Sequence, residues 1–135
     1  MKPGYFVLAA ALAAVQPALA QTAPAQIDGA KLFAQNCSAC HQAQGQGVKG
    51  AFPALAGDAF VQGDRRAVAS LLLHGRGGMP NFSDDLSDAE IAAILSYVRS
   101  SWGNHAPALD VELVAAVRSG ASAPQEARSV VLPGH

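Results

Sequence analysis

Two thiols and an imidazole lie within five consecutive residues of this sequence, Cys37-Ser38-Ala39-Cys40-His41. Cysteines three positions apart lie on one turn of a helix, so both sulfurs can reach the two vinyl groups at one edge of a haem. The histidine that follows directly projects its imidazole toward the iron from one face. The motif therefore predicts covalent haem attachment through Cys37 and Cys40, with His41 as an axial ligand.

Three other uses of a Cys-x-x-Cys pair fit the sequence less well. A thioredoxin-like redox motif is preceded by a strand in a βαβ context, whereas a helix is predicted before Cys37. A structural zinc site needs four ligands, usually from two pairs, and the chain has only two cysteines. A simple disulfide leaves His41 without a role. Haem attachment remains the favoured interpretation.

Met79 is the candidate for the second axial ligand, because it is the chain's one methionine apart from Met1. It lies between Gly78 and Pro80 in a predicted loop, where no helix prevents a thioether from reaching the iron. Methionine opposite histidine raises the reduction potential of a haem. Two alternatives stay open, namely that Met79 fills a gap in the core and that His74 takes its place as ligand.

Sequence patterns typical of helices lie both before and after these residues. Asp28 can cap a helix that runs to about Cys40, and a second helix is predicted from about residue 64 to residue 74. The clearest helix begins at the capping box of Ser87 and Glu90. It carries an apolar stripe at helical spacing, formed by Ile91, Ile94, Leu95, Val98 and Trp102. Since no segment alternates as a strand does, we predict an all-α fold, with three main helices and loops around one haem.

The N-terminus has the pattern of a cleaved signal peptide. Lys2 precedes an apolar run of 11 residues from Tyr5 to Val15, and Ala18-Leu19-Ala20 resembles a cleavage site. The run is shorter than the ~20 residues that span a bilayer, so we expect export without a stable membrane span. The predicted organisation is a signal peptide (1–20), a linker (21–26), a haem domain (27–103), and a C-terminal extension (104–135), partly helical and then mobile.

Composition limits the partners and the size of the core. The formal net charge is -1, which argues against nucleic acid or acidic lipid as a partner. A domain of this size buries a smaller fraction of its surface than a larger domain does, so we expect the haem to complete the core. The side chains expected to be buried are Leu32, Phe33, Phe52, Leu55, Leu71, Leu72, Phe82, Ile94, Leu95, Val98 and Trp102. The arginines considered as partners of haem propionates are Arg65, Arg66, Arg76 and Arg99.

Taken together, these motifs resemble a class I cytochrome c, which has one haem with histidine and methionine ligands. The resemblance covers about residues 27–103. Gly29 and Phe33 precede the haem motif at the family's spacing, and Ile94 and Tyr97 occupy the last main helix. The resemblance implies that these two pairs form the crossing of the N- and C-terminal helices.

The resemblance also covers the loop Phe52-Pro53-Ala54-Leu55-Ala56-Gly57, which looks like the family's haem-packing loop. It implies that the carbonyl of Pro53 accepts a hydrogen bond from His41 and fixes the imidazole's orientation, and that Leu55 packs on the haem. The expected iron ligands are His41 and Met79, and the expected cofactor is covalently attached haem c. The cofactor-binding residues expected on this basis are Cys37, Cys40, His41, Met79, Pro53 and Leu55.

Residues 95–111 look like the end of cytochrome domains that serve periplasmic dehydrogenases. An iron ligated by both His41 and Met79 has no open position for a substrate, so we expect a periplasmic carrier of single electrons rather than an enzyme. Its expected partners are a dehydrogenase as donor and an oxidase or another cytochrome as acceptor. Two alternatives stay open. One is a dedicated haem subunit of a periplasmic oxidoreductase, in which residues 104–135 dock to the complex; otherwise these residues wrap around their own domain or stay disordered. The other is a haem enzyme or sensor with a labile sixth ligand.

Overall fold

The computed structural model describes Met1 and residues 25–121 of the chain. Five helices order these residues: α1 (Gly29–Asn36), α2 (Ser38–His41), α3 (Arg65–His74), α4 (Asp88–Arg99) and α5 (Val111–Arg118). The extended pairing within the described part of the chain consists of isolated bridges, Val48 with Phe52 and Arg76 with Met79. The predicted all-α class is confirmed. No helix in the described ranges has the length and apolarity needed to cross a membrane.

Some predictions fall on residues that the structure does not describe. Apart from Met1, the whole of the predicted signal peptide lies outside the described residues, as do residues 21–24 of the linker and residues 122–135 of the extension.

The haem-attachment motif lies at a junction between two short helices. Asp28 caps α1 as predicted, because its carboxylate accepts a hydrogen bond from the Lys31 N–H at 3.0 Å. The single helix predicted to run to about Cys40 is wrong, since α1 ends at Asn36 and Cys37 leaves helical geometry at φ −123° and ψ −32°. The Ser38 hydroxyl donates to the Ala34 carbonyl at 2.7 Å, a local bond that competes with helical pairing.

The capping box at the start of α4 is present as predicted. The Ser87 hydroxyl accepts from the Glu90 N–H at 3.3 Å, and the Glu90 carboxylate accepts from the Ser87 N–H at 2.9 Å. The Ser87 N–H, and to a lesser extent the Ser87 hydroxyl, which donates to the same carboxylate at 2.8 Å, lower the pKa of Glu90 below its ordinary value. The carboxylate therefore helps to fix the first turn of α4 in its ionised form.

The end of α4 differs from the prediction, because the helix stops at Arg99 and does not include Trp102. The Ser100 hydroxyl donates to the Ser96 carbonyl at 2.9 Å, and the Ser101 hydroxyl donates to the Tyr97 carbonyl at 2.6 Å. These bonds satisfy carbonyls that a continuing helix would use. Trp102 adopts a left-handed backbone at φ 54°, and its ring still reaches the apolar interior.

Helices α1 and α4 cross at the residues that the family resemblance implies. A methyl group on Gly29 would lie 2.1 Å from the Ala93 carbonyl oxygen and 3.2 Å from the Tyr97 Cβ. The Phe33 ring packs 5.7 Å from the Tyr97 ring and 5.0 Å from the Trp102 ring, measured between centroids. The expected crossing is confirmed, and it brings the haem motif beside α4.

Replacing Gly29 tests this crossing. Because a methyl group has no space against the Ala93 backbone, Gly29→Ala should force the two helices apart and lower the free energy of unfolding by about 3 kcal/mol. Denaturant titration measures the change as a lower midpoint with an unchanged slope. Ala30→Ser is the matched control on the exposed side of α1 and should change stability by less than about 0.5 kcal/mol. Equal stability of the two variants would contradict the crossing.

The segment after α4 is part of the packed core. Helix α5 lies against α3 and α4, Val114 is fully buried, and Leu109 and Asn104 are buried as well. The boundary drawn at Gly103 therefore does not coincide with the end of the core, because the apolar side of α5 covers α3 and α4. Residues 104–118 therefore pack against the helices that precede them.

Candidate functional site

A mostly apolar cavity of about 410 Å³ opens beside the α1–α2 junction. Its volume lies within the ~300–1,000 Å³ of small-molecule and cofactor sites. Parts of α1, α2, α3, α4 and the loops between them form its walls. The structure places at this cavity all of the residues that the sequence predicts to bind the cofactor, namely Cys37, Cys40, His41, Pro53, Leu55 and Met79.

The His41 ring is held by a backbone carbonyl. Its Nδ1 atom lies 2.9 Å from the Pro53 oxygen, and since a carbonyl only accepts, Nδ1 carries the proton and donates it. The other ring nitrogen, Nε2, then keeps its lone pair, which is the form in which imidazole binds a metal. This is the hydrogen bond that the family resemblance implies, and it fixes the tautomer and orientation of the ring.

The loop that supplies this carbonyl is tied to the end of α2. The N–H groups of Leu55 and Ala56 donate to the Gly45 carbonyl at 2.7 and 3.0 Å, and the Gly47 N–H donates to the His41 carbonyl at 2.9 Å. A side chain at Gly45 would meet the Trp102 ring at 2.4 Å, so glycine is required there. The motif and the loop therefore form one hydrogen-bonded unit.

Met79 reaches the cavity from a short irregular loop after α3. Gly75 ends α3 with φ 72°, and Arg76 and Met79 exchange backbone hydrogen bonds of 3.2 and 3.0 Å. The Phe82 N–H donates to the Leu72 carbonyl at 3.1 Å and anchors the loop to α3. Met79 also packs against the core, so it contributes to both the cavity wall and the apolar interior.

His74, the alternative ligand, is not brought to the cavity. Its side chain is exposed at the end of α3, and its Nδ1 atom donates to the Ser70 carbonyl at 2.9 Å. The cavity lining includes Met79 and not His74. The geometry therefore favours Met79 over His74 as the residue opposite His41.

The two cysteines differ in exposure, because Cys37 is half-buried and Cys40 is exposed. Burial, and to a lesser extent the neighbouring Cys40, raise the pKa of the Cys37 thiol to about 11. The buried thiol therefore stays uncharged near neutral pH, and the thioether formed by attachment to a haem is uncharged as well. Two sulfurs at one rim, a lone-pair nitrogen and a thioether sulfur around an apolar cavity are a donor set that fits haem c.

Among the four arginines considered for the haem propionates, the structure places Arg76 at the cavity. Its guanidinium lies 5.2 Å from the centroid of the Phe60 ring. Arg65 contacts Asp110 and Arg66 donates to the Ala121 carbonyl. Arg99 does not line the cavity, because its side chain is 1% exposed and donates to the backbone carbonyls of Val61, Gly63 and Pro107.

Phe52 is not a core residue, which corrects the prediction, since it is 41% exposed at the cavity rim. Val61 and Val68, which were not among the side chains expected to be buried, are buried in the cavity wall. The helical spacing of Val68 on α3 was a usable signal. Val61 lies in a glycine-bearing loop that has no periodicity, so its burial depends on the tertiary fold.

The attachment motif, the carbonyl-bonded His41 and the apolar cavity define a haem protein of the c type. The sequence model of the family described as cytochrome C oxidase, cbb3-type, subunit III matches residues 24–98, which is more than half of the chain. The chain belongs to the cytochrome c family that this model describes.

Individual relatives agree with this assignment. Cytochrome c-552 of Thermus thermophilus is 41% identical over 96 residues, which are 59% of this chain and 64% of that protein. Cytochrome c6 of Picosynechococcus sp. is 37% identical over 109 residues, which are 73% of this chain and 90% of that protein. The cytochrome c subunit of the alcohol dehydrogenase (quinone) of Gluconobacter oxydans is 35% identical over 91 residues, 58% of this chain and 19% of that protein.

The chain thus spans slightly less than two thirds of the length of cytochrome c-552 and about a fifth of the dehydrogenase subunit. Membership of the family establishes covalently attached haem c, with its iron, as the cofactor. It also confirms the class I resemblance.

Proposed function

We propose that this protein is an exported, periplasmic carrier of single electrons with one haem. Cys37 and Cys40 hold the haem covalently, and His41 and Met79 ligate its iron. The observation that carries the proposal is the 2.9 Å hydrogen bond from His41 Nδ1 to the Pro53 carbonyl, because it prepares the opposite nitrogen of the ring for a metal. When bound, the haem iron supplies a reversible ferric–ferrous couple.

The protein's residues set the properties of that couple. The hydrogen bond to the Pro53 carbonyl fixes the orientation of the His41 ring and makes its Nε2 a stronger donor to the iron. A thioether from Met79 favours the ferrous state. Buried Ile94 and Val98 line the cavity and keep water from the iron. With both axial positions filled by protein side chains, substrates have no place to bind, and the role requires no catalytic acid, base or nucleophile.

The exposed rim of the cavity is the proposed site of electron exchange. Cys40 is exposed there, together with Ala51 and Phe52, so the haem edge attached to the cysteines approaches the surface. The mature chain keeps only Lys31 and Lys49 as lysines. Docking therefore depends on apolar contact more than on charge, and we expect a weak dependence of electron transfer on salt.

We place a dehydrogenase before this carrier and an oxidase or another cytochrome after it. The printed descriptions of the dehydrogenase subunit and of the matched oxidase family support these two partner classes. The signal-peptide pattern of residues 1–20 supports export. A dedicated subunit of a dehydrogenase is the second candidate, favoured by the similarity to the dehydrogenase subunit. Stable co-purification with a dehydrogenase would identify the subunit, whereas recovery of the cytochrome alone would identify the free carrier.

Carbon monoxide separates the carrier from a haem enzyme or gas sensor. Because Met79 occupies the sixth position in the proposed site, the reduced protein should keep its spectrum when the solution is saturated with carbon monoxide. Met79→Ala should bind carbon monoxide readily under the same conditions and is the positive control. Rapid binding by the unaltered protein would show an open position, and the enzyme or sensor alternative would replace the carrier.

A further inference from the structure

Two polar side chains of the described chain are almost completely buried, Arg99 and Asn104. Both lie at or after the end of α4, and both bond to the backbone of the loop between α2 and α3. Arg99 donates to the carbonyls of Val61 at 2.5 Å and Gly63 at 3.0 Å. Buried polar groups of this kind hold neighbouring segments in one arrangement when all their bonds are made.

Asn104 connects α4 to the part of that loop that follows Pro53. Its Oδ1 accepts from the Gly57 N–H at 2.8 Å, and its Nδ2 donates to the Leu55 carbonyl at 3.0 Å and to the Val98 carbonyl at 2.9 Å. On its other side, the Leu55 N–H is already bonded to the loop that follows α2. The backbone two residues from the Pro53 carbonyl is therefore held from both directions.

Arg118 holds the second loop that reaches the cavity, the one that carries Met79. From the end of α5, its Nε donates to the Asp88 carboxylate at 2.7 Å, its Nη2 donates to the Leu86 carbonyl at 2.8 Å, and its Nη1 donates to the Ser83 carbonyl. The Leu86 N–H in turn donates to the Phe82 carbonyl at 3.1 Å. One guanidinium thus fixes the far end of the segment that begins at Met79.

We infer that Asn104 and Arg118 are positioning residues for the two axial ligands of the haem iron. Asn104 acts on His41 through the loop that carries Pro53, and Arg118 acts on Met79 through the segment 79–86. The C-terminal segment therefore controls ligand geometry from outside the cavity. This inference rests on the proposed ligation by His41 and Met79.

Arginine suits the second of these roles because its planar, forked group offers several donors in fixed directions. Lysine at position 118 would keep the charge beside Asp88 but could not reach three acceptors with the same geometry. Arg118→Lys therefore keeps the positive charge but removes the planar set of donors, whereas Arg118→Ala removes both.

Imidazole is the probe for the Met79 side. Added to the ferric protein, it competes with the thioether for the iron, so its apparent affinity reports how firmly the segment 79–86 is held. We expect Arg118→Ala to bind imidazole about tenfold more tightly than the unaltered protein, a difference of about 1.4 kcal/mol, with Arg118→Lys in between. Arg65→Ala is the matched control, because it removes the 3.4 Å ion pair to Asp110 and leaves segment 79–86 intact.

The reduction potential is the probe for the His41 side. Asn104→Ala should make the loop that carries Pro53 more mobile and weaken the hydrogen bond from His41 to the Pro53 carbonyl. His41 then becomes a poorer donor to ferric iron, so the reduction potential should rise. We expect a threefold change in the ratio of oxidised to reduced protein at a fixed potential, about 30 mV for one electron. Asn104→Ser keeps an acceptor for the Gly57 N–H and is measured as well in case Asn104→Ala fails to fold. Gln62→Ala, which removes a 3.0 Å bond from the His105 N–H and a 3.4 Å bond to the Asp58 carbonyl, is the control.

Each experimental result tests a different part of the inference. If the unaltered ferric protein has no iron–thioether band, the proposed ligation fails and the inference fails with it. If the band is present but the Arg118 variants bind imidazole like the control Arg65→Ala, the Arg118 part of the inference is overturned. If an Asn104 variant loses stability without a change in reduction potential, the role of Asn104 is purely structural, and that result overturns the Asn104 part of the inference.

Discussion

Replacing both attachment residues, in Cys37→Ser with Cys40→Ser, should leave an exported chain that does not acquire this fold. Without the haem, a cavity of about 410 Å³ remains inside a small domain. The apolar walls of this open cavity then face water, at ~25 cal/mol per Å² of apolar surface, a loss that is large against the ~5–15 kcal/mol of net stability of a typical domain.

Far-ultraviolet circular dichroism and a haem stain after denaturing electrophoresis measure this prediction. The double variant should show no covalent haem and little helical signal. Ala39→Ser is the matched control, because it changes an exposed residue between the two cysteines and keeps both thiols. A double variant with native helical content and no haem would show that the apolar interior is sufficient without the cofactor.

Met79→His should lower the reduction potential by roughly 0.2 V, a fraction of the ~0.8 V range over which axial ligands set haem potentials. Imidazole is a harder donor than a thioether and stabilises ferric iron, whereas the thioether favours ferrous iron. The variant should remain low-spin, because both axial positions stay occupied. Spectroelectrochemical titration gives the potential.

Two controls accompany this measurement. Asn81→Ala changes an exposed residue of the same loop, and His74→Ala removes the alternative ligand; both should keep the potential within a few hundredths of a volt, well inside the ~0.8 V range. A large change in His74→Ala, with none in Met79→His, would contradict the placement of His74 outside the cavity and assign the sixth position to His74.

Much of the site could be predicted because its signals are local in sequence. The spacing of Cys37, Cys40 and His41 follows from helical geometry, and the capping box of Ser87 and Glu90 follows from the unpaired N–H groups at a helix start. The structure has this capping box and brings those three residues together at one cavity. Such signals need no knowledge of the rest of the chain.

Other features depend on contacts between residues that are far apart in the chain. Asn104 bonds to Gly57 and Leu55, 47 and 49 positions away, and Arg118 bonds to Ser83, 35 positions away. Neither side chain has a local pattern that distinguishes it from a solvated polar residue. The left-handed backbone of Trp102 was missed for the same reason, because its apolar side chain fits a helical stripe equally well.

The most direct test of the account is the near-infrared spectrum of the ferric protein, recorded beside that of Met79→Ala. A bond between ferric iron and a thioether gives a weak absorption band in this region. Ligation by Met79 predicts the band in the unaltered protein and its loss in Met79→Ala, with covalent haem retained in both. A spectrum without the band, or one that Met79→Ala leaves unchanged, would contradict ligation by Met79 and the closed iron site on which the proposed electron carrier depends.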